Sequence, residues 1–287
     1  MADFASQAVI CHMLQEAFPG DAIIAEEDSA DLRADAQAGV RRIVVERVGG
    51  SVGRELDEST VLSWIDHGRP TGASVPNRFW TLDPIDRTKG FLRGEQYAVA
   101  LALIEGGHVV LGALACPNLP ADEGAGVLLV GVRGEGSYML PLGGSGDRGR
   151  PVRVSSTVDP RLTRFCESIE GGHSDHGQSA RIAASLGITA GALRMGSQAK
   201  YAAVARGEAE VYLRLPTSAE YREKIWDHAA GALIVEEAGG QVSDIEGRRL
   251  DFGHPPTLAA NRGVVATNGG LHRAAGQTHL ALKPSKP

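Results

Sequence analysis

The sequence predicts an α/β or α+β protein with a sheet in each half of the chain. Short apolar β-type runs alternate with segments of helical spacing along the 287 residues, as in folds that layer helices on sheets. Apolar residues make up 43% and charged residues 22%, so the chain can bury a large core. A Pro/Gly/Ser-rich stretch at 141–151 separates the halves. We place a boundary near 145–158, between domains 1–150 and 151–287.

The first half begins with a predicted helix over residues 3–18, which Pro19 and Gly20 end. A short strand at residues 22–25 follows and leads into an acidic run that starts at Glu26. Helices are also predicted at 31–37 and 58–67, whereas 41–48 fits a helix or a strand. Two β-hairpins complete this half, with strands at 97–104, 108–116, 127–132 and 137–140.

Strands and helices alternate in the second half. We predict strands at 164–169, 210–215, 241–243 and 264–267, and helices at 179–186, 198–205 and 227–238. Glycines follow the three helices, at Gly187, Gly207 and Gly239. This half is therefore expected to build its own sheet with helices beside it.

The stretch from Trp80 to Phe91 carries the clearest functional signal. A predicted strand runs into Asp83 and Asp86 and is expected to stop at Pro84, which has no N–H for a sheet ladder. Two carboxylates three residues apart repel each other unless a hard divalent cation lies between them. The amides of 87–90 could open a helix and bind an anion. A plain turn or helix cap explains the same residues, so the motif alone leaves both interpretations open.

Two further acids stand at the ends of predicted elements. Glu26 follows a strand, where a solvated loop is the simpler explanation, and Asp227 lies in the first turn of an apolar helix, where it could merely stabilise the helix dipole. With Asp83 and Asp86 they make four carboxylates, which with a backbone carbonyl match the ligands that two or more Mg²⁺ ions need.

Composition excludes several other classes of protein. The net charge of −6 without a basic tract argues against a nucleic-acid partner. Cys11, Cys116 and Cys166 are too far apart for a disulfide framework or zinc site and indicate a reducing compartment, so we expect a cytoplasmic protein. No apolar run approaches the roughly 20 residues of a membrane span, so no membrane partner is expected. The oligomeric state stays open, as a monomer or an oligomer of unknown order.

Four segments carry a resemblance to a known family. They are Ala25-Glu-Glu-Asp-Ser29, Leu82-Asp-Pro-Ile-Asp-Arg-Thr-Lys-Gly-Phe-Leu-Arg-Gly-Glu-Gln-Tyr-Ala-Val99, Ser197-Gln-Ala-Lys-Tyr201 and Tyr221-Arg-Glu-Lys-Ile-Trp-Asp-His-Ala-Ala-Gly231. The chain resembles the 3′(2′),5′-bisphosphate nucleotidases of the inositol-monophosphatase superfamily. The Asp-Pro-Ile-Asp and Trp-Asp motifs belong to the superfamily, and the Thr-Lys-Gly-Phe-Leu-Arg-Gly extension is more specific to the nucleotidases. The resemblance implies a layered α-β-α-β-α sandwich.

The resemblance also implies roles for individual residues. Two or three Mg²⁺ ions per site would be held by Glu26, Asp83, Asp86, Asp227 and the carbonyl of Ile85. Asp3 and Thr88 would orient and deprotonate the attacking water. The remaining implied positions contact the substrate, namely Arg87, Thr88, His173, Ser197, Lys200 and Arg214.

Some implied nucleotide contacts have simpler explanations. Lys200 could be an exposed helix cation and Arg214 a charge on an edge strand. His173 and His176 have a spacing seen in zinc sites, but no further soft ligand lies close by in the sequence. A contact of His173 with the base or ribose is therefore preferred.

The chain departs from the family pattern at several positions. Members usually have Gly where Arg87 stands, Gly where Ala25 stands and Asp where Gly196 stands. They also carry an N-terminal helix and a Ser-Pro-Val-Thr segment upstream of Asp3. This upstream helix is expected to be missing here. Asp3 is then expected to be poorly held at a frayed terminus.

The implied activity is Mg²⁺-dependent hydrolysis of the 3′-phosphate of adenosine 3′,5′-bisphosphate to AMP and phosphate, with 3′-phosphoadenylyl sulfate as a second substrate. The resemblance further implies inhibition by Li⁺ and a place in sulfur metabolism. Two alternatives stay open: a phosphatase acting on an inositol polyphosphate, and a truncated, catalytically weak protein that binds nucleotide. The departures at Arg87 and Gly196 motivate the latter.

Overall fold

Five alternating layers of helices and sheets build the protein. The computed structural model describes residues 1–69, 75–121, 124–143, 149–169, 176–216, 218 and 220–281. Its apolar clusters separate an outer helical layer, a seven-stranded sheet, two central helices, a five-stranded sheet and a second outer helical layer. The predicted layered α-β-α-β-α sandwich is therefore confirmed.

The elements have the following bounds. The α-helices are α1 (Ala2–Ala17), α2 (Ala38–Val52), α3 (Glu58–Asp66), α4 (Thr88–Leu92), α5 (His176–Ser185), α6 (Ala199–Ala205), α7 (Ala229–Glu237) and α8 (His272–Ala281). The strands are β1 (Ala22–Ala25), β2 (Arg78–Asp86), β3 (Ala98–Glu105), β4 (His108–Pro120), β5 (Ala125–Val132), β6 (Gly136–Pro141), β7 (Arg150–Val152), β8 (Phe165–Glu167), β9 (Leu193–Arg194), β10 (Val211–Arg214), β11 (Gln241–Ser243) and β12 (Val264–Thr267). No helix within the described ranges has the length and apolar character to cross a membrane.

The first sheet contains strands β1 to β7 in sequence order, with β1 parallel to β2 and each later pair antiparallel. Successive side chains of a strand point to opposite faces. Along β3, Ala100 and Ile104 therefore lie in the central core beside α6 and α7, whereas Leu101 and Leu103 face α1. Helices α1, α2 and α3 share a separate apolar cluster and form the outer layer.

The second sheet has the strand order β11-β12-β10-β8-β9. On β10, Tyr212 faces the central core, whereas Val211 and Leu213 pack outward with Ile182 of α5 and Ala275 of α8. This sheet lies entirely after residue 164 and the first lies entirely before residue 153. Strand β10 is flanked on both sides, so residues at its end are positioned by two neighbouring strands.

Two local predictions need correction, and one open alternative is resolved. Residues 31–37 form two separate 3₁₀ turns, because Ala34 between them is extended with a ψ of 143°. The ambiguous stretch 41–48 is helical, within α2. Helix α7 starts at Ala229, so Asp227 lies in the preceding turn and not in the first helical turn.

The strand expected to stop at Pro84 continues to Asp86. Along β2, three residues separate Asp83 from Asp86, whereas their partners on β3, Ala100 and Ala98, are two apart. The extra residue is a β-bulge, and the proline, which has no N–H to donate, falls inside it. The strand therefore survives the proline and delivers both carboxylates at its end.

Candidate active site

Adjacent ends of two parallel strands bring the predicted acids together. Ala25 at the end of β1 lies opposite Leu82 of β2, and the Glu26 amide donates to the Leu82 carbonyl at 3.2 Å. Glu26 thus emerges beside Asp83 and Asp86, and the turn before α7 adds Asp227. These four residues are called the carboxylate wall below.

The carboxylate wall is one side of a cavity of about 220 Å³ between the two sheets. The cavity is lined by Glu26, Asp83, Ile85, Asp86, Arg87, Thr88, Ser168, Ser197, Gln198, Lys200, Tyr212, Arg214, Tyr221, Asp227 and His228. Ten residues predicted from sequence lie in this lining, and Asp3 lies directly behind Thr88. His173 lies outside the described residues, as do 171–175 around it.

The carboxylate wall is electrostatically unfavourable by itself. Asp83 is 2% exposed, and its Oδ1 has no hydrogen-bond partner among the described residues. Burial, and then the charges of Asp86, Glu26 and Asp227, raise its pKa well above the usual range. Buried charges that lack compensation are costly, and a hard divalent cation supplies that compensation. The donor set therefore fits Mg²⁺.

The pKa values of Asp227 and Glu26 are shifted in the same direction. Burial, and then the charge of Asp86, raise the pKa of Asp227 to about 6 despite the opposing effect of His228. The Glu26 side chain is exposed at the cavity mouth, yet partial loss of solvation and then the charges of Asp227 and Glu27 raise its pKa to about 7. Each acid therefore gains from a bound cation.

Asp3 is firmly held, so the expectation of a frayed, poorly positioned residue is wrong. It lies in the first turn of α1, is 8% exposed, and its Oδ1 accepts a hydrogen bond from Thr88 Oγ1 at 2.7 Å. The N-terminal ammonium lies 3.7 Å from its other carboxylate oxygen. The pairing of Asp3 with a residue at the cavity surface is the geometry that a proton relay to a bound water requires.

Helix α1 also anchors both acidic segments through residues that sequence reasoning missed. Gln7 is fully buried and holds Glu27 at both backbone groups, with Nε2 donating to its carbonyl at 2.6 Å and Oε1 accepting from its amide at 3.0 Å. Ser6 Oγ donates to the Pro84 carbonyl at 2.9 Å. A Ser-Gln pair three residues after an acid offered no local signal, because its partners are 20 and 78 residues away.

Three cations, Arg87, Lys200 and Arg214, line the same cavity and are called the cationic wall below. Lys200 is 4% exposed, donates to the Ser197 carbonyl at 2.7 Å and lies 5.3 Å from the Tyr212 ring centroid. Burial lowers its pKa to about 8. The explanation of Lys200 as an exposed helix cation is therefore wrong.

Arg214 ends the flanked strand β10, so its explanation as an edge-strand charge is also wrong. Its Nη2 lies 3.2 Å from a carboxylate oxygen of Glu223, which is 3% exposed. Glu223 in turn contacts His228 Nε2 at 3.2 Å, and His228 Nδ1 contacts the Tyr201 hydroxyl at 2.7 Å. This buried chain orients the guanidinium toward the cavity.

Ligand-type atoms of Glu223, Asp227 and His228 also lie within 4.8 Å of one another, as in a metal site. Arg214 and Tyr201 already satisfy Glu223 and His228, and a guanidinium beside Glu223 disfavours a second cation there. We assign Glu223 and His228 to positioning. Both residues lie in the family-like segment from Tyr221 to Gly231, which was the signal available in the sequence.

Gln198 joins the two walls and was not predicted. Its amide donates to Asp86 Oδ2, and its side-chain Nε2 donates to the Trp226 carbonyl at 2.8 Å. The preceding residue, Ser197, has a left-handed φ of 60°. The turn before α6 is thereby held between the end of β2, which carries Asp86, and the turn that carries Asp227.

Comparisons with known proteins identify the family of the chain. Residues 1–282 match the inositol monophosphatase family. A 3′(2′),5′-bisphosphate nucleotidase of Emericella nidulans is 46% identical over 296 residues, covering 93% of this chain and 83% of its own length. The enzyme of the same name from Schizosaccharomyces pombe is 43% identical, with 100% and 85% covered.

A solved structure shares the fold. An inositol monophosphatase from Anabaena (Nostoc) superposes with a TM-score of 0.66 at 23% identity, covering 99% of this chain and 87% of its own. With the match over residues 1–282 and relatives above 40% identity, the chain belongs to the inositol monophosphatase family, in its 3′(2′),5′-bisphosphate nucleotidase group.

Proposed function

We propose that this protein is a Mg²⁺-dependent phosphatase that removes the 3′-phosphate of adenosine 3′,5′-bisphosphate, giving AMP and phosphate. The observation that carries the proposal is one cavity with a carboxylate wall suited to cations and a cationic wall suited to a second anionic group. The relatives named 3′(2′),5′-bisphosphate nucleotidase support the same substrate class.

Residues of the carboxylate wall, with the carbonyl of Ile85, would hold two or three Mg²⁺ ions. When bound, Mg²⁺ lowers the pKa of water and neutralises charge on a phosphoryl group. Thr88 lies at the cavity surface and is held by Asp3 at 2.7 Å, so the Thr88 oxygen orients the attacking water and Asp3 accepts the proton passed along this pair. Both residues act through side-chain atoms already in place.

The cationic wall binds the phosphate that does not react. Arg214 offers a fork of N–H donors held by Glu223, and Lys200 offers a compact charge beside Ser197. A substrate with a single phosphate would leave Arg214 and Lys200 without an anionic group of the substrate to bind. This difference favours a bisphosphorylated substrate, with 3′-phosphoadenylyl sulfate as a second one.

The test is phosphate release by the purified protein from adenosine 3′,5′-bisphosphate, with and without Mg²⁺. We expect release with Mg²⁺, loss of release with a chelator, and inhibition by Li⁺ competing for a cation position. Inositol bisphosphate in the same assay is expected to be the poorer substrate, and faster turnover on it would reverse the assignment. Nucleotide binding without turnover would identify a binding protein. The buried, unpaired cysteines are consistent with the cytoplasmic location that we propose.

A further inference from the structure

The side chain of Arg87 lies in a slot between two glycines. A Cβ at Gly196 would lie 2.1 Å from Arg87 Cδ and 2.1 Å from Nη1, and a Cβ at Gly90 would lie 3.1 Å from Cδ. Neither glycine has a left-handed φ, so at Gly196 the arginine, and not the backbone, excludes a larger residue. The absence of a side chain at Gly196 is therefore a consequence of where Arg87 lies.

The backbone of Arg87 also directs this placement. Its φ is +74°, a left-handed conformation that a bulky residue rarely adopts. The side chain is 9% exposed, and its Nη2 lies 2.9 Å from a carboxylate oxygen of Glu95. Glu95 itself is 36% exposed, so this partner lies at the solvent boundary. The guanidinium is thus held at the cavity by its ion pair with Glu95, and a phosphate can replace the Glu95 carboxylate in that pair.

Arg87 belongs electrostatically to the cationic wall. Burial is the main cause of the lowered pKa of Lys200, the charge of Asp86 opposes it, and the charges of Arg214 and Arg87 add to it. All three cations line the same cavity. Like charges gathered at one site are unfavourable until an anion binds. The four carboxylates would offset the charge of divalent ions, and the second phosphate of the substrate can contact the three cations of the lining.

We propose that Arg87 is a specificity-determining residue that contacts the non-reacting phosphate of the substrate, and that Gly196 is required because it leaves room for the Arg87 side chain. In the free protein Glu95 holds the guanidinium, and the substrate phosphate replaces Glu95 on binding. This inference rests on the proposed function for the identity of the substrate. The inference that the Arg87 side chain needs the space at Gly196 does not rest on the proposed function.

The test is a double-mutant cycle with Arg87→Gly, Gly196→Ala and the double variant. Arg87→Gly keeps a residue suited to the left-handed φ. A lost charge-assisted phosphate contact is expected to raise the KM for adenosine 3′,5′-bisphosphate roughly tenfold to hundredfold, with a smaller change in kcat. The KM for adenosine 3′-monophosphate is expected to change much less, because that substrate lacks the second phosphate.

Gly196→Ala is expected to raise KM in the same way and to lower Tm, because its Cβ displaces Arg87. In the Arg87→Gly background the same alanine is expected to change neither quantity. Gly191→Ala is the matched control, since a Cβ there meets nothing within 4 Å. Glu95→Gln, which weakens the competing ion pair, is expected to lower KM roughly twofold to fivefold.

Additive effects of Arg87→Gly and Gly196→Ala on Tm and KM would contradict the proposal that Gly196 leaves room for the Arg87 side chain. Equal losses of activity on the bisphosphate and the monophosphate would overturn the role in specificity. If the wild-type protein releases no phosphate, the proposed function fails. Calorimetric binding of adenosine 3′,5′-bisphosphate and the Tm cycle then still decide the role of Arg87: binding by Arg87→Gly that equals wild type would contradict it.

Discussion

The carboxylate wall and the cationic wall line one cavity but satisfy their charges differently. On the cationic wall, Arg214 has Glu223 and Lys200 has the Ser197 carbonyl, at 3.2 and 2.7 Å. On the carboxylate wall, Asp83 Oδ1 has no hydrogen-bond partner within the described part of the chain, and mutual repulsion helps to raise the pKa values. The protein thus preorganises the cationic wall, whereas the carboxylate wall keeps a charge repulsion that bound cations would relieve.

Replacement of Asp83 breaks the carboxylate wall and has the largest expected effect. Asp83→Asn removes a buried charge needed for the cation, so kcat/KM on adenosine 3′,5′-bisphosphate is expected to fall on the order of a thousandfold or more. In chelator the same change is expected to raise Tm, because the uncompensated charge disappears. Enzyme assays and thermal unfolding in EDTA measure the two effects.

Asp35→Asn, at an exposed position in a 3₁₀ turn, is the control for the loss of one negative charge. Retained activity in Asp83→Asn, or a lower Tm in EDTA than the wild type, would show that Asp83 is satisfied without a cation.

The Asp3–Thr88 pair tests the step that uses the cations. Thr88→Val removes the hydroxyl that donates to Asp3, and kcat is expected to fall roughly 100- to 1000-fold with little change in KM. Asp3→Asn is expected to act similarly, and the double variant no worse than the single ones, because the two residues form one relay. Thr88→Ser, which keeps the hydroxyl, should retain most activity; a loss equal to that of Thr88→Val would argue for a packing role.

Glu223 tests whether the cationic wall is preorganised. Glu223→Gln weakens the ion pair that positions Arg214, so KM is expected to rise about tenfold while kcat changes less. Tyr201→Phe removes the hydroxyl that contacts His228 at 2.7 Å, and a smaller rise in KM is expected. Steady-state kinetics, with circular dichroism as a check on folding, measure both. A fall in kcat at constant KM would place Glu223 in the chemical step instead.

The pH dependence of thermal stability is the smallest expected effect, and it reports directly on acids of the carboxylate wall. The folded-state pKa values of Glu26 and Asp227 are raised from 4.5 to about 7 and from 3.8 to about 6, so between about pH 4 and 7 the folded protein binds more protons than the unfolded chain. By linkage, Tm in chelator is then expected to fall as pH rises through this range. Saturating Mg²⁺, which binds the deprotonated acids, should remove or reverse that fall. Parallel pH profiles with and without Mg²⁺ would contradict the assignment.

Several features of the site could be read from local sequence because they depend on neighbours in the chain. The close spacing of Asp83 and Asp86, and the position of Glu26 after a strand, involve only residues a few positions apart. The bulge that carries β2 past Pro84 could not be read in this way, since it is visible only in the pairing of β2 with β3. The start of α7 was misplaced for a related reason, because turns before helices are set by tertiary contacts.

The sequence by itself determined the class of fold and the four carboxylates, since both follow from residue types at short spacings. Only the tertiary structure decided that Gln7 and Gln198 lock the acidic segments, that Arg214 lies on a flanked strand, and that Arg87 occupies the space beside Gly196. These contacts join residues from 20 to more than 100 positions apart. Their existence depends on how the layers pack, and no local pattern encodes that packing.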